Sequence, residues 1–125
     1  MRILTICGNL ERGGTQRAAQ SYSQAYHRAG HSVLVWGWHG GGVRAGYLRE
    51  AGIRVIEGVD GLTHARDFKP QLIHIHRPGP SDQRWTDLLR ALKRDSNRVL
   101  ETNVFSRADY SNGSDLIDVH LQLSE

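Results

Sequence analysis

The stretch Pro70-Gln71-Leu72-Ile73-His74-Ile75-His76-Arg77-Pro78-Gly79-Pro80-Ser81, with Trp85, Leu88, Leu89 and Leu92 beyond it, decides the fold class. Gln71 to His76 reads as a strand, rich in large aliphatic residues and entered from a proline. The Arg77-Pro78-Gly79-Pro80 run breaks it, and Ser81 is a residue type that caps helices through its side-chain oxygen. Trp85, Leu88, Leu89 and Leu92 then recur at i, i+3, i+4 and i+7, so they form one buried stripe and leave Arg90, Lys93 and Arg94 in water. Strand, breaker and amphipathic helix together make the repeating unit of a parallel sheet with crossover helices.

The unit recurs on both sides. Toward the N-terminus, Arg2 to Cys7 is a first strand; after the loop Gly8 to Gly14, Thr15 is placed to cap a helix. Ala18, Tyr22, Ala25 and Ala29 give that helix an apolar face, and Gly30 stops it. Ser32 to Trp36 is a second strand, Arg44 to Ala51 a short helix closed by Gly52, and Ile53 to Ile56 a third strand. Gly58 to Lys69 is too mixed to assign. Toward the C-terminus, Arg98 to Thr102 is a fifth strand and Val119 to Leu123 a sixth. The prediction is a Rossmann-like, doubly wound α/β domain with strand order 3-2-1-4-5, the sixth strand following, and binding loops at the strand C-termini.

A chain of 125 residues accommodates one such domain and no second lobe. Its 38% hydrophobic and 23% charged residues suit a soluble globular protein rather than a disordered tail. The lone cysteine, Cys7, excludes an internal disulfide and a multi-cysteine zinc site, which fits a reducing, cytoplasmic compartment. Met1 to Cys7 is too short an apolar run for a signal peptide. The net charge of +3 and pI near 9.4 favour anionic partners. Because the basic residues are scattered, without blocks or interleaved aromatics, nucleic acid is not among the expected partners.

Three loops converge on the crevice where strand order reverses. In the first, Gly8 to Thr15, two glycines five apart and a threonine resemble a phosphate-cradling P-loop, but Gly14 occupies the lysine position and a nucleotide triphosphatase is disfavoured. What remains is either an anion site made by backbone N–H groups at a helix N-terminus or a tight strand-to-helix turn. In the second, His74 and His76 point to one side of their strand as hydrogen-bonding or site-lining residues; His64 and His120 are the remote candidates that a metal site would need, and none is expected. His76, nearer the strand end, is the better functional candidate. In the third, Glu101-Thr102-Asn103-Val104-Phe105-Ser106-Arg107 offers ligand contacts or turn chemistry. Cys7 reads as a buried structural thiol.

Gly13-Gly14-Thr15-Gln16-Arg17, followed by a helix ending Arg28-Ala29-Gly30-His31-Ser32-Val33, resembles the opening of glycosyltransferase family 4. So do, in order, Ala51-Gly52-Ile53-Arg54-Val55, the Pro70 to His76 block, Val99-Leu100-Glu101-Thr102-Asn103 and Val119 to Ser124. The resemblance spans the chain. It implies the two-domain B-type glycosyltransferase fold, in which the first domain receives the acceptor and the second binds a nucleotide sugar, with transfer retaining anomeric configuration. By position, Gly13, Gly14 and Thr15 inherit the donor-phosphate loop, and Arg17, His76, Arg77 and Asn103 the acceptor cleft. Asn103 stands where many members carry a histidine beside the reacting sugar, so no catalytic residue is assigned and Asn103 would orient rather than titrate.

On this resemblance residues 1–125 are an acceptor-side domain, ending about where the helix after strand six begins, without the donor domain. Expected partners are a nucleotide-sugar donor and a glycan, lipid-linked or small-molecule acceptor, with peripheral contact at the cytoplasmic membrane surface and no cofactor or metal. The isolated chain is expected to be inactive. Two other classes compete: a non-catalytic anion- or nucleotide-binding module of similar fold, and a response-regulator-like signalling domain, which lacks its acidic cluster here.

Overall fold

The structure, a computed structural model, describes residues 1–77, 83–103 and 117–122, without the side chains of Asn103 and residues 120–122. The expected Pro78-Gly79-Pro80 breaker, the Ser81 cap, residues 104–107 and Leu123 lie outside the described residues. In chain order the elements are β1 (Arg2–Cys7), α1 (Gly14–Arg28), β2 (Ser32–Gly37), α2 (Val43–Glu50), β3 (Arg54–Glu57), a 3-10 turn (Val59–Gly61), α3 (Leu62–Asp67), β4 (Leu72–Arg77), α4 (Gln83–Leu92), β5 (Arg98–Asn103) and β6 (Val119–Gln122).

The strands form one sheet ordered β3-β2-β1-β4-β5-β6, and every neighbouring pair is parallel. The sheet therefore contains the expected 3-2-1-4-5 order, and the sixth strand extends it beside β5. Strand order reverses between β1 and β4, which places a crevice at their C-terminal ends. β1, β2 and β4 are buried along nearly their whole length, because helices cover both faces.

Side chains alternate between two cores. Cys7, Val33 and Val35 pack with Leu10, Ala19, Ala45, Leu48 and Ile53 on the α1–α2 side. Leu4, Ile6, Leu34, Trp36, Ile73, Ile75 and Val99 pack with Ala65 and the α4 stripe of Trp85, Leu88, Leu89 and Leu92 on the other. Each fully buried aliphatic side chain contributes about 1.5–3 kcal/mol of transfer free energy, so the α4 stripe is a principal anchor.

Both helices on the α1 side stop as their glycines predict. Gly30 (φ +93°) lets His31 N–H reach Tyr26 C=O at 3.1 Å, and Gly52 (φ +86°) lets Ile53 N–H reach Leu48 C=O at 3.1 Å. The unassigned segment holds the 3-10 turn and α3. Trp36 dictates its path: its indole donates to Gly58 C=O at 2.8 Å, and a Cβ on Gly61 would lie 2.5 Å from that indole nitrogen.

Two details of α1 differ from expectation. Thr15 does not cap the helix; Gly13 takes that position, no side chain caps, and Thr15 is buried in the first turn. The buried face is Thr15, Ala19 and Ser23, with Tyr22 and Tyr26 half-buried, while Ala25 and Ala29 are exposed. Ser23 donates to Thr5 Oγ1 at 2.9 Å, so a polar contact with β1 fixes the helix rotation that alanine spacing suggested otherwise.

Candidate functional site at the strand C-termini

The loop after β1 is fixed from both sides. Asn9 Oδ1 accepts from Glu11 N–H (3.0 Å) and from Gln16 Nε2 (2.9 Å), tying the loop to the first turn of α1. Leu10 is fully buried; its N–H donates to Gly41 C=O (3.1 Å) and its C=O accepts from Arg44 N–H (2.9 Å). Cys7 donates from Sγ to Asn9 C=O at 2.9 Å, and burial pushes its thiol up to about 12, so it is a structural thiol and not a nucleophile.

This bracing presents the N-terminus of α1. Gly13 and Gly14 are exposed, a Cβ on Gly14 would meet nothing within 4 Å, and the chain's first helical bond there is Arg17 N–H to Gly13 C=O. The N–H groups of Gly14, Thr15 and Gln16 find no acceptor among the described residues. Open N–H groups at a helix N-terminus favour an anion through both hydrogen bonding and the helix dipole. Arg17 is exposed in the same turn.

Beside this loop, β4 carries polar residues into the interior. His76 is level with Cys7 and Thr102, and His74 with Thr5 and Leu100. His74 is held at both nitrogens: Nδ1 is 2.7 Å from Tyr26 Oη and Nε2 is 2.6 Å from Thr102 Oγ1. Burial lowers its pKa to about 3, so the ring is neutral and one nitrogen donates while the other accepts. His76 stacks on it with ring centroids 4.0 Å apart, and Tyr22 lies against both rings. Both His76 nitrogens are buried without a hydrogen-bond partner among the described residues. Burial, and secondarily His74, hold His76 far below the ordinary imidazole range.

The expectation that His76 lines an open crevice with Gly13 and Gly14 is therefore corrected. The alternation of β4 turns it beneath α1, where Tyr22 covers it and no surface remains exposed. Arg77 points to the opposite, α4-facing side, and is likewise buried rather than presented to an acceptor. Its Nη2 is 2.8 Å from Glu101 Oε2, with both side chains 2% exposed. Such a pair is costly to desolvate, and breaking it by removing one partner typically costs about 3–5 kcal/mol. The Asn103 backbone pairs with Arg77 and Gln122 at the same sheet edge; its side chain lies outside the described residues.

Sequence reasoning missed Glu101 as the partner of Arg77, and Tyr26 and Thr102 as the partners of His74. The available signal was the polar pairs His74/His76 and Glu101/Thr102 inside strands that must be buried on both faces. His64 sits exposed on α3, across the sheet from His74 and His76, and among the described residues no three His, Cys, Asp or Glu side chains gather around a metal-sized space.

The chain matches no protein-family model and no curated protein. It is similar in structure to a protein of unknown function, VPA0982, from Vibrio parahaemolyticus, with a TM-score of 0.53 and 13% sequence identity over 99% of this chain and 93% of that one. At that identity the likeness bears on the fold, which is Rossmann-like α/β. Among the described residues no helix is long and apolar enough to cross a membrane.

Proposed function

We propose that this chain is the acceptor-side domain of a retaining, family 4-like glycosyltransferase that moves a sugar from a nucleotide-sugar donor to a glycan, lipid-linked or small-molecule acceptor. One observation carries the reading: the Gly13-Gly14 turn lies at the C-terminal edge of β1, next to the strand-order reversal, with three adjoining N–H groups open to an anion. These groups would receive the donor's diphosphate. Arg17 adds a cation in the same turn, and the end of β5, with Asn103, borders the edge where an acceptor would approach. The reaction as read here needs no cofactor or metal, and the setting is cytoplasmic.

His76 takes a different part in this reading than a cleft-lining residue would. Neutral and beneath α1, it shapes the floor of the site, while Arg77 and Glu101 fix the ends of β4 and β5 from the other face. The alternative, a non-catalytic anion-binding module, uses the same N–H groups. The two readings part on whether this chain alone binds a nucleotide more tightly than its phosphates allow: a self-sufficient nucleotide-binding module does, and a domain whose donor partner lies elsewhere does not.

Calorimetry with a panel of nucleotide sugars, and with pyrophosphate for comparison, tests this. Gly14→Pro is the informative variant, because proline at the first helical position removes an N–H without disturbing the helix. The expected result is weak, millimolar binding of nucleotide sugar and pyrophosphate alike, since the nucleoside and sugar contacts belong to the donor domain, weakened several-fold by Gly14→Pro with Tm unchanged. Micromolar binding of a nucleotide sugar by this chain alone would favour the module, and indifference to Gly14→Pro would remove the loop from the site.

A further inference from the structure

We propose that the N-terminal edge of the sheet, opposite the Gly13-Gly14 turn, holds a second site that binds a phosphate group through Arg2, Arg66, Lys69 and Arg94. These four side chains line a groove of about 430 Å³, with Ser96 and Asn97 between them and no carboxylate in its wall. None of the four forms an ion pair among the described residues. The nearest acidic residues in sequence, Asp67 and Asp95, are not paired with them either.

The cations are held in place rather than free to swing. Arg66 donates from Nε and Nη2 to Ala91 C=O, both at 3.2 Å, and Arg94 donates from Nη1 to the same oxygen at 3.2 Å and to Lys93 C=O at 2.9 Å. Binding the last turn of α4 in this way satisfies helix-end carbonyls. It also leaves Arg66 Nη1 and Arg94 Nε and Nη2 without an acceptor among the described residues. Arg2 donates its Nε to Lys69 C=O at 2.7 Å, and the Lys69 ammonium has no bond to the described residues.

Lys69 has a left-handed backbone (φ +52°), alone among the described non-glycine residues. It follows Phe68, the C-cap of α3, at the position where helices commonly end in this conformation, so the helix stop fixes where its side chain leaves the backbone. Its N–H donates to the Arg66 backbone C=O at 3.0 Å and its C=O receives Arg2 Nε, so the end of α3 and the Arg2 side chain hold it in position. Helix capping accounts for Arg66 and Arg94 singly; it does not account for four unneutralised charges converging on one concavity.

Such a set matches a multiply charged tetrahedral anion better than a carboxylate, which one guanidinium satisfies. Arg2 also lines an adjoining groove with Arg54, His27 and His31, so the positive surface continues along the edge. A phosphate there could belong to a soluble phosphorylated compound or to a lipid headgroup. The inference does not depend on the sugar-transfer reading, whose site is at the other edge.

The experiment has two arms, using the ¹⁵N-labelled chain titrated with inorganic pyrophosphate and the same chain floated with phosphatidylglycerol or phosphatidylcholine vesicles. Amide shifts should concentrate at Arg66, Lys69, Gln71 and Asn97 for pyrophosphate, or binding should require the anionic vesicles. Lys69→Gln, which removes no bond to the described residues, should weaken whichever binding occurs by about tenfold, and Arg66→Gln with Arg94→Gln by more. Arg90→Gln, an equal charge change at an exposed position outside the groove, should have little effect. Pyrophosphate binding alone supports a soluble ligand, and vesicle binding alone supports a headgroup. The proposal is overturned by binding in neither arm, by shifts only at Gly13 and Gly14, or by equal loss in Arg90→Gln.

Discussion

His74 and His76 set the acid limit of this fold. An unfolded chain protonates each near its ordinary value of 6.5, whereas in the folded chain His74 resists to about 3 and His76 is also held well below the ordinary range. Protons therefore bind preferentially to the unfolded state. The stability associated with neutral rings is fully present above about pH 6.5 and lost as pH falls through that value toward the folded pKa. Each ring steepens the loss by up to about 1.4 kcal/mol per pH unit, so urea midpoints should fall sharply between pH 6.5 and 4. His76→Leu should halve that slope, and should raise stability at pH 7 by about 1 kcal/mol because it removes two buried nitrogens that have no partner among the described residues. An unchanged slope would mean that His76 has a partner or an open path to water. The sequence showed that the two rings share one side of β4; it could not show that Tyr22 would cover them, since that depends on the rotation of another element.

At the level of elements, the site loop stands on the clamp between the β1–α1 and β2–α2 connections. Gly42 allows that clamp, because a Cβ there would collide with Glu11 Oε1 and lie 2.5 Å from the Glu11 backbone nitrogen. Gly42→Ala should cost about 1–3 kcal/mol, measured as a lower urea midpoint, and should move the Glu11 and Leu10 amide resonances. Retained stability and unmoved resonances would show that the loops are not coupled there. Strand positions were legible because buried parallel strands read as aliphatic runs bounded by glycine or proline. The face of α1 was not, because Ala18 and Ala19 fit either rotation and the deciding residues, Thr15 and Ser23, are polar in sequence and buried only by their place over β1. Helix α3, with six residues, is too short for periodicity to reveal.

Over the whole molecule, the two ends of the sheet have different electrostatic characters. The C-terminal edge offers backbone N–H groups beside two buried neutral histidines and a paired Arg77 and Glu101, while the N-terminal edge gathers cations that form no ion pair among the described residues. The strand order, and with it the location of the first edge, followed from the sequence through the handedness of crossovers. The basic groove did not, because Arg2, the Arg66–Lys69 pair and Arg94 are far apart along the chain and meet only where strand starts and helix ends adjoin. The central claim, that a nucleotide sugar's diphosphate sits at the Gly13-Gly14 turn, is tested most directly by mapping amide shifts in the ¹⁵N-labelled chain titrated with UDP-glucose and GDP-mannose. The account predicts that at least one of them shifts Gly14, Thr15 and Gln16 most strongly and in a saturable way, with the loop residues Asn9 and Glu11 following. No saturable change at these amides, or changes confined to the opposite edge of the sheet, would contradict it.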